Sequence, residues 1–420
     1  MKYWKKLSTK ETSIRIAKAL RSNINFEEHN CLGIPASRLD DSLFTNSLAG
    51  KEPLIQVYHH NPNHIGCHTI GESEVFFNGT QALEKELVEL LSVDLLRAEA
   101  GYTDGYVAAG GTEANLQAVW IYRNYFLNQG ARHHQIAIVC SEDTHYSISK
   151  SANLLNLDMI VLKVQEDSRE ISSSGLEQQI NRAMAAGKKY FIAISNMGTT
   201  MFGSVDDPDK YVKVFREKGL PFFIHVDGAF GGFIYPVTEP GNNCCFSNPD
   251  ISSITLDAHK MLQAPYGTGI FIVRKNLIRN VLTQEAGYVN GFDLTVSGSR
   301  SGANAVAVWL LLFHYGPFGW LEKLNKLLYR TEWLCKKLSA LDVRFFNQPK
   351  MNIVTIRAAC IGRELAHKYG LVPDQHDGEA RWYKIVIMDH VNLDVLNEFL
   401  ADLKTFHNAQ ACSCTVKLTD

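Results

Sequence analysis

Short apolar runs alternate with amphipathic segments through the middle of the chain. Four leucines, Leu83, Leu87, Leu90 and Leu91, repeat at helical spacing and predict a helix that Thr80 caps. After this helix, uninterrupted apolar runs predict buried strands at 136–140, 159–164, 190–195, 222–226, 251–256 and 269–273. Segments of helical spacing separate most of them. This alternation predicts a mostly parallel sheet covered by helices, with ligand chemistry in the loops at the carboxyl ends of the strands.

The pattern changes near residue 301, where long helical sequence replaces the alternation. Helical spacing covers 305–313 and 320–341, and strand-like runs follow at 353–356 and 383–388. Asn392 is placed to cap a closing helix whose apolar face comprises Leu396, Phe399, Leu400 and Leu403. We therefore predict four parts: an N-terminal helical arm (1–50), a large α/β domain (51–300), a small α+β domain (301–410) and a tail (411–420).

The composition is that of a folded protein without a strong electrostatic field. Hydrophobic residues make up 45% and charged residues 20% of the 420 positions, which argues against a disordered chain. Lys and Arg number 42 against 44 Asp and Glu, a net charge of −2, which disfavours a nucleic-acid partner. The longest apolar stretch, 305–313, falls far short of the roughly 20 residues that cross a bilayer, so no membrane partner is expected.

The cysteines and the N-terminal charges bear on location. Nine cysteines at irregular spacing in a long chain predict reduced thiols and a cytoplasmic protein rather than a disulfide framework. They show no zinc-site spacing, so no metal site is predicted. The basic first segment, with Arg15, Lys18 and Arg21 near its end, fits an amphipathic arm that packs on a neighbouring part of the fold. It also fits an organelle-targeting segment, and this alternative stays open.

Three loops beside predicted elements carry candidate chemistry. Gly110, Gly111 and Thr112 stand at a helix start, where free backbone N–H groups suit a phosphate; the alternative is a tight turn capped by the threonine. Asp227 follows a buried strand and is placed either to hold a protonated ring nitrogen or to cap the next turn. Lys260 follows the next strand and is placed to form a Schiff base, unless it faces solvent as most lysines do.

The order of the three loops favours one cofactor. A phosphate cradle, an acid at a strand end and, 33 positions after it, an amine are the groups that pyridoxal phosphate requires. The motifs around them are Gly110-Gly111-Thr112-Glu113-Ala114-Asn115, Asp143-Thr144-His145-Tyr146-Ser147, Gly198-Thr199-Thr200, His225-Val226-Asp227-Gly228-Ala229, Asp257-Ala258-His259-Lys260 and Gly298-Ser299-Arg300-Ser301-Gly302. With these motifs, residues 60–405 resemble the group II pyridoxal-phosphate-dependent amino-acid decarboxylases, most closely the compact tyrosine/aspartate, histidine and serine decarboxylases.

The resemblance implies a fold type I, aspartate-aminotransferase-like architecture that acts as a homodimer with pyridoxal 5′-phosphate as its cofactor. It implies these cofactor contacts: Gly111, Thr112 and His259 at the phosphate, His145 stacked on the ring, Thr200 at the ring hydroxyl, Asp227 at the ring nitrogen, Ala229 behind the ring, and Lys260 as the Schiff-base lysine. Ser299 and Ser301 would reach the phosphate bound to the neighbouring subunit, and Arg300 would fix their loop.

Two further segments are predicted to act on the substrate. In the resembling enzymes, a tyrosine of the loop that holds Tyr288 protonates the carbon after CO₂ leaves; the alternative is an aromatic anchor for the loop. His64 and His68 lie in a polar segment that lines the substrate side in the family. They are predicted either to touch the substrate or to support the loop.

The activity implied is the decarboxylation of an L-amino acid to its primary amine and CO₂ through Lys260. Histidine, tyrosine, aspartate and serine are the substrates that the similar enzymes suggest, and the sequence does not separate them. A second activity, carbon–carbon bond cleavage of the sphingosine-phosphate-lyase type, shares the lysine, the aspartate and the Gly-Ser-Arg-x-Gly motif. We rank it second because no membrane anchor is predicted.

Overall fold

The computed structural model describes residues 60–71, 77–282 and 292–416, with side chains as far as 407. It also describes a few isolated earlier residues: Lys10, Ile14, Asn30, Leu32, Gly33, Val57 and Tyr58. Most of the predicted N-terminal arm and the loop that holds Tyr288 lie outside the described residues.

Strands and helices alternate along the described chain. The strands are β1 (Asn63–Ile65), β2 (Thr103–Ala108), β3 (Ile136–Ser141), β4 (Asp158–Leu162), β5 (Tyr190–Asn196), β6 (Phe222–Gly228), β7 (Ile251–Asp257), β8 (Gly269–Arg274), β9 (Ser299–Ser301), β10 (Phe345–Phe346), β11 (Ile353–Arg357), β12 (Val372–Pro373) and β13 (Trp382–Val386). The helices are α1 (Asn78–Leu90), α2 (Gly111–Asn128), α3 (Ser147–Leu155), α4 (Ser173–Ala185), α5 (Pro208–Glu217), α6 (Tyr235–Thr238), α7 (Gly302–Ala340), α8 (Arg363–Lys368) and α9 (Leu393–Val416).

The central sheet of the described residues has seven strands in the order β2-β8-β7-β6-β5-β3-β4. β8 is antiparallel to both of its neighbours, and the other strands run in one direction. Alternate residues of β3 enter opposite cores: Ile136 and Ile138 pack with α2 and α3, whereas Ala137 and Val139 pack with α4 and α5. Because both faces are covered, such strands are continuous apolar runs in the sequence.

The parallel arrangement brings four loops to one edge of the sheet. The carboxyl ends of β3, β5, β6 and β7 meet there, and β5 pairs with β3 and β6 in parallel register. The residues at or just beyond these ends are His145, Thr200, Asp227 and Lys260. The fold therefore gathers side chains that are far apart in the sequence, as expected for an open α/β sheet.

One bent helix, α7, connects the two parts of the chain. Gly316 has φ of 60°, and Pro317 lacks a backbone N–H, so the helix breaks between the two helical segments that the sequence predicts. Residues before the break pack in the core of the large domain, whereas Leu334 and Leu338 pack in the core of the small one. The predicted domain boundary at 300/301 thus falls at the start of a helix that serves both cores.

The small domain is an antiparallel sheet, β10-β11-β13-β12, packed against α9. Leu396, Phe399 and Leu403 of α9 are fully buried, and each contributes about 2 kcal/mol to folding. Asn392 Oδ1 accepts a hydrogen bond of 3.0 Å from the Val395 N–H, which confirms the predicted cap. The backbone of α9 continues past residue 410, so the predicted tail begins inside a helix.

The prediction of a mostly parallel α/β sheet with a small C-terminal α+β domain is confirmed. Two details are wrong. Strand β2 was not predicted, because Thr103, Asp104 and Gly105 interrupt its apolar pattern. Thr80 does not cap α1, which begins at Asn78; its hydroxyl lies within the first turn and donates to the Phe77 carbonyl at 3.2 Å.

Two further observations concern the state of the cysteines and the search for membrane-spanning helices. The cysteines with described side chains are free: Cys67, Cys140, Cys244, Cys245, Cys335 and Cys360. Across the described residues, none of the helices combines the length and the apolar character needed to cross a membrane.

Candidate active site

Asp227 forms the floor of the site at the end of β6. In register it lies between Asn196 of β5 and Thr255 of β7, in the middle of the sheet edge. Its Oδ1 accepts a hydrogen bond of 3.1 Å from the Ala229 N–H, and its Oδ2 accepts one of 2.8 Å from Asn115 Nδ2. Because both oxygens act as acceptors, the hydrogen bonds fit an ionised carboxylate.

Lys260 lies in the turn that follows β7. Its Nζ is 3.0 Å from Oδ2 of Asp257, the last residue of the strand. His259 Nε2 is 3.6 Å from the same oxygen, and the His259 ring lies beside Tyr266, with 4.9 Å between ring centroids. Burial lowers the pKa of His259, so the ring is neutral near pH 7. Asp257 therefore holds the amine of Lys260 at the wall of the cleft.

The start of α2 forms one end of the site. The helix begins at Gly111, and its cap, Gly110, has no side chain that could accept from the first-turn N–H groups. A Cβ on Gly111 would lie 2.8 Å from Asp257 Oδ2 and 3.2 Å from Ala229 Cβ, so the close packing requires glycine. With the Thr112 hydroxyl beside them, these N–H groups and the positive end of the helix suit an anion.

His145 lies between β3 and α3, above Asp227. The Ser147 N–H points to its Nδ1 at 3.3 Å, and the Ser147 hydroxyl lies 2.9 Å from the same nitrogen. Nδ1 is thus an acceptor, and the ring proton is on Nε2. Burial lowers the pKa of His145, although the charge of Asp227 opposes the shift. His145 is therefore a neutral, flat ring suited to stacking.

A cleft of about 660 Å³ opens between these elements. The predicted residues in its lining are Gly111, Thr112, His145, Ala229, His259 and Lys260. A small pocket of about 20 Å³ shares His145, Ala229 and Lys260 with the cleft and extends to Thr200 and Asp227. The fold thus brings together all the residues that were predicted to bind the cofactor of their own chain.

The donors and acceptors of this cleft fit pyridoxal phosphate. Asp257 Oδ1 and His259 Nδ1 are buried and have no hydrogen-bond partner among the described residues. Buried polar atoms in folded proteins are normally paired, so these two atoms mark a place that a polar ligand completes. The first turn of α2, the Lys260 amine and the Asp227 carboxylate supply the three groups that the cofactor needs.

Lys384 of β13 contacts a loop of the candidate site, and the sequence analysis missed it. It is 4% exposed, and its Nζ donates a hydrogen bond of 3.0 Å to the Thr200 carbonyl, which belongs to the loop beside the cleft. Burial, with the charge of Lys260 as a second cause, lowers the pKa of Lys384 to about 8. A lysine inside an otherwise apolar strand is the signal that could have revealed it.

His64 and His68 lie in a buried cluster around Glu84. His64 Nδ1 is 2.6 Å and His68 Nε2 is 3.2 Å from Glu84 Oε2, while Arg300 Nη1 is 2.6 Å from Oε1. Although burial alone raises the pKa of Glu84, Arg300 and the two rings hold it well below its usual value. Both histidines are at most 3% exposed, and neither lines the cleft. This geometry favours the supporting role over contact with the substrate.

The same cluster has the composition of a metal site. His64, His68 and Glu84 each place a ligand atom within 4.8 Å of the others. However, Arg300 already pairs with the carboxylate, and His64 Nε2 is bonded to the Thr80 hydroxyl at 2.8 Å. A metal cation bound here would be repelled by the nearby Arg300 charge, because the cluster is buried and solvent does not screen it. We therefore interpret the cluster as a support for the β1–β9 pair.

Ser299 and Ser301 lie outside the cleft lining. They flank Arg300 on β9, which pairs with β1, and both are exposed. Ser301 also caps α7, because its hydroxyl accepts from the Asn304 N–H at 3.3 Å. Their predicted contact is with a neighbouring subunit, and it stays a prediction. Tyr288 lies outside the described residues, and its role also stays a prediction.

Comparisons with known proteins agree with the geometry. Residues 79–358 match the family model described as "Pyridoxal-dependent decarboxylase conserved domain". A tryptophan decarboxylase of Clostridium sporogenes is 51% identical over 410 residues, 97% of this chain and 98% of that protein. A probable L-aspartate decarboxylase of Pyrococcus abyssi is 31% identical over 340 residues, 78% of this chain and 82% of the relative.

Solved structures share the fold at lower identity. The L-methionine decarboxylase of Streptomyces sp. 590 superposes with a TM-score of 0.78 at 19% identity and covers 95% of both chains. A sphingosine-1-phosphate lyase of Burkholderia pseudomallei gives 0.77, also at 19% identity, covering 100% of this chain and 97% of that one. At this identity each likeness concerns the fold alone, so the second does not revive the carbon–carbon lyase alternative.

Proposed function

The chain belongs to the group II pyridoxal-phosphate-dependent decarboxylases, enzymes that remove CO₂ from an amino acid, and we propose that its substrate is L-tryptophan and that Lys260 carries the cofactor. The observation that supports Lys260 is that it lines both the cleft, with the start of α2, and the adjoining small pocket, with Asp227. The substrate proposal rests on the 51% identity, over nearly the whole chain, with a tryptophan decarboxylase. Tryptophan is absent from the substrates expected from the sequence motifs.

Each residue then has a distinct task. Bound pyridoxal phosphate supplies the electron sink that accepts the electron pair left when CO₂ departs. With the cofactor bound, the Asp227 carboxylate would hold a proton on the ring nitrogen, and His145 would offer a flat ring for stacking. Gly111 and Thr112 bind the phosphate through backbone and hydroxyl donors. These groups are fixed before the substrate binds, so they need not reorganise during the reaction.

The charges in the cleft favour a substrate with an uncharged side chain. Among the described residues that line the 660 Å³ cleft, Lys260 is the single Lys or Arg. A neighbouring cavity of about 600 Å³ has three further cations, each beside a carboxylate: Arg169 is paired with Asp143 at 2.5 Å, Lys163 with Glu142 at 2.6 Å and Arg381 with Asp374 at 3.6 Å. The described lining therefore offers no second free cation to pair with the side-chain carboxylate of an aspartate or glutamate substrate.

A substrate panel tests this proposal. Purified holoenzyme should form tryptamine and CO₂ from L-tryptophan with kcat/KM at least about tenfold above that for tyrosine, histidine, aspartate, glutamate or serine. Amine and CO₂ are both measured, because their ratio reports decarboxylation rather than another bond cleavage. Preference for a different amino acid would overturn the substrate, and amine formation without CO₂ would overturn the reaction.

Lys384 is proposed to bind the carboxylate of the amino acid. It is a buried cation with a carbonyl as its partner, and it lies on the small-domain side of Thr200. An incoming carboxylate would satisfy this charge in a site of low polarity, where a charge pair is strong. The leaving CO₂ group would thus be held by the small domain, opposite the sheet edge.

The pKa of Lys384 gives this role a pH signature. As pH rises through about 8, the wild-type lysine loses its proton, so KM for tryptophan should rise. Lys384→Arg should show a flatter KM profile over the same range, because guanidinium stays charged. The exposed Lys213→Arg serves as the matched control. Parallel KM profiles for wild type and Lys384→Arg would contradict the assignment.

A homodimer is also proposed, with Ser299 and Ser301 facing the partner's cofactor phosphate. Light scattering should report two chains. Ser301→Ala should lower cofactor retention and also cost about 1 kcal/mol of stability through the lost cap of α7. Ser301→Asp separates the two effects, since an aspartate caps the helix but repels a phosphate. A monomer with full activity, or an aspartate variant that retains cofactor normally, would refute the proposal.

A further inference from the structure

A continuous chain of buried hydrogen bonds runs beneath the candidate active site. It begins at Tyr122 of α2 and ends at Asp227 and His145. The intermediate members, in order, are Ser253, His225, Asn115 and, on the branch to His145, Ser147. The intermediate members are at most 1% exposed, so water cannot replace these bonds. Each proton in the chain must therefore have a definite position.

Asn115 is the branch point, and its amide has one consistent orientation. One end lies 2.8 Å from Asp227 Oδ2 and 2.9 Å from Ser147 Oγ, and the other lies 2.9 Å from His225 Nε2. An ionised carboxylate only accepts, so the NH₂ end must face Asp227. The amide oxygen then faces His225 Nε2, and this nitrogen must carry the ring proton.

The remaining protons follow from that assignment. Burial lowers the pKa of His225 to about 4, so the ring is neutral and its Nδ1 accepts. The Ser253 hydroxyl, 2.7 Å away, donates to Nδ1. Since the Ser253 proton is used there, the Tyr122 hydroxyl donates to Ser253 Oγ. Burial also raises the pKa of Tyr122, which keeps its proton in place.

The branch to His145 has the same order. Asn115 Nδ2 donates to Ser147 Oγ, and the Ser147 hydroxyl donates to His145 Nδ1 at 2.9 Å. The ring proton of His145 is thus fixed on Nε2. One amide group therefore faces Asp227 as a donor and, through the Ser147 hydroxyl, supports the His145 tautomer that the Ser147 N–H also favours.

We propose that Asn115 is a positioning residue, oriented by His225, that keeps Asp227 an ionised acceptor and His145 in its Nε2–H form for the bound cofactor. The proposal rests on the role given above to Asp227. With the opposite amide orientation, an oxygen would face Asp227 and stabilise a protonated carboxyl group. That group would no longer be a charged partner for a protonated ring nitrogen. In that orientation the NH₂ end would face His225 Nε2, and a proton on this nitrogen would have only the Thr255 hydroxyl, 3.3 Å away, as an acceptor.

Which ring nitrogen carries the proton in His225 and in His145 is measured in the wild-type protein without its cofactor. Histidine side chains are labelled with ¹⁵N, and the His225 and His145 signals are assigned by their loss in single His→Gln variants. Both rings should be neutral Nε2–H tautomers near neutral pH. A neutral Nδ1–H tautomer of His225 would make its Nε2 an acceptor, which requires the opposite amide orientation, and would overturn the proposal. This measurement needs no enzyme activity, and it does not depend on whether an Asn115 variant folds.

Cofactor affinity tests the consequence. Asn115→Leu keeps the approximate volume but removes the amide, so the dissociation constant for pyridoxal phosphate should rise at least about tenfold. Asn124→Leu, on the same helix but bonded to the Asn280 carbonyl, is the matched control. His225→Gln should bind the cofactor more tightly than His225→Leu, since the glutamine NH₂ can still donate to Asn115 Oδ1.

Two outcomes separate this proposal from the proposed function. If Asn115→Leu, folded by its thermal unfolding, binds the cofactor as tightly as the control, the positioning role is wrong. If instead Asp227→Asn retains full turnover, the role of Asp227 itself is wrong, whatever the tautomers are. Should Asn115→Leu fail to fold, the wild-type tautomers still decide the proton order.

Discussion

Lys260→Ala is expected to lower tryptamine formation by about 10³-fold or more, because no other described side chain offers an amine in the lining of the cleft. Borohydride reduction of the wild-type holoenzyme should fix the cofactor on the peptide that contains Lys260, as read by mass spectrometry. Reduction that labels another lysine would show that the cofactor is carried elsewhere.

The alanine variant also removes the partner of Asp257, a buried carboxylate whose Oδ2 lies 3.0 Å from the amine. Loss of activity could then come from a damaged fold. Lys260→Arg is the control for this effect, since it keeps a cation beside Asp257 but cannot form the bond to the cofactor. We expect it to be inactive and to unfold near the wild-type temperature. The exposed Lys213→Ala should leave turnover unchanged.

The order of elements and the motif loops could be predicted from the sequence because both depend on local patterns. Strands such as β3 and β5 are buried on both faces, so they appear as uninterrupted apolar runs. The residues that follow parallel strands reach one sheet edge whatever the intervening helices contain. Asp227 and Lys260 therefore line one small pocket at this edge of the sheet, as predicted.

The parts that could not be predicted depend on contacts between distant residues. Strand β2 contains the buried Asp104, whose carboxylate pairs with Lys275 at 3.0 Å and accepts from the Asn276 N–H at 2.7 Å, both just past the end of β8. Lys384 meets Thr200 across the two domains, and no motif connects them. The cluster around Glu84 likewise needs Arg300, more than two hundred positions away. Local periodicity carries no information about such pairs.

Asp227→Asn is the second substitution with a large expected effect. The wild-type oxygens accept from Asn115 and from the Ala229 N–H, and the carboxylate charge is available to a protonated ring nitrogen. An asparagine has one oxygen for these two donors, so one donor must face an NH₂ group. It also lacks the charge that holds the ring proton. We expect kcat/KM to fall by about 10²-fold or more. The cofactor should still bind through its phosphate, but with lower affinity than in the wild type.

The measurement combines turnover with cofactor titration, because the two losses have different origins. A fall in turnover at saturating cofactor reports the missing charge, whereas weaker retention alone reports the mismatched hydrogen bonds. Asp377→Asn makes the same change on an exposed part of the small domain and should alter neither quantity. If Asp227→Asn saturated with cofactor turns over like the control, the ring-nitrogen proton is held by another group.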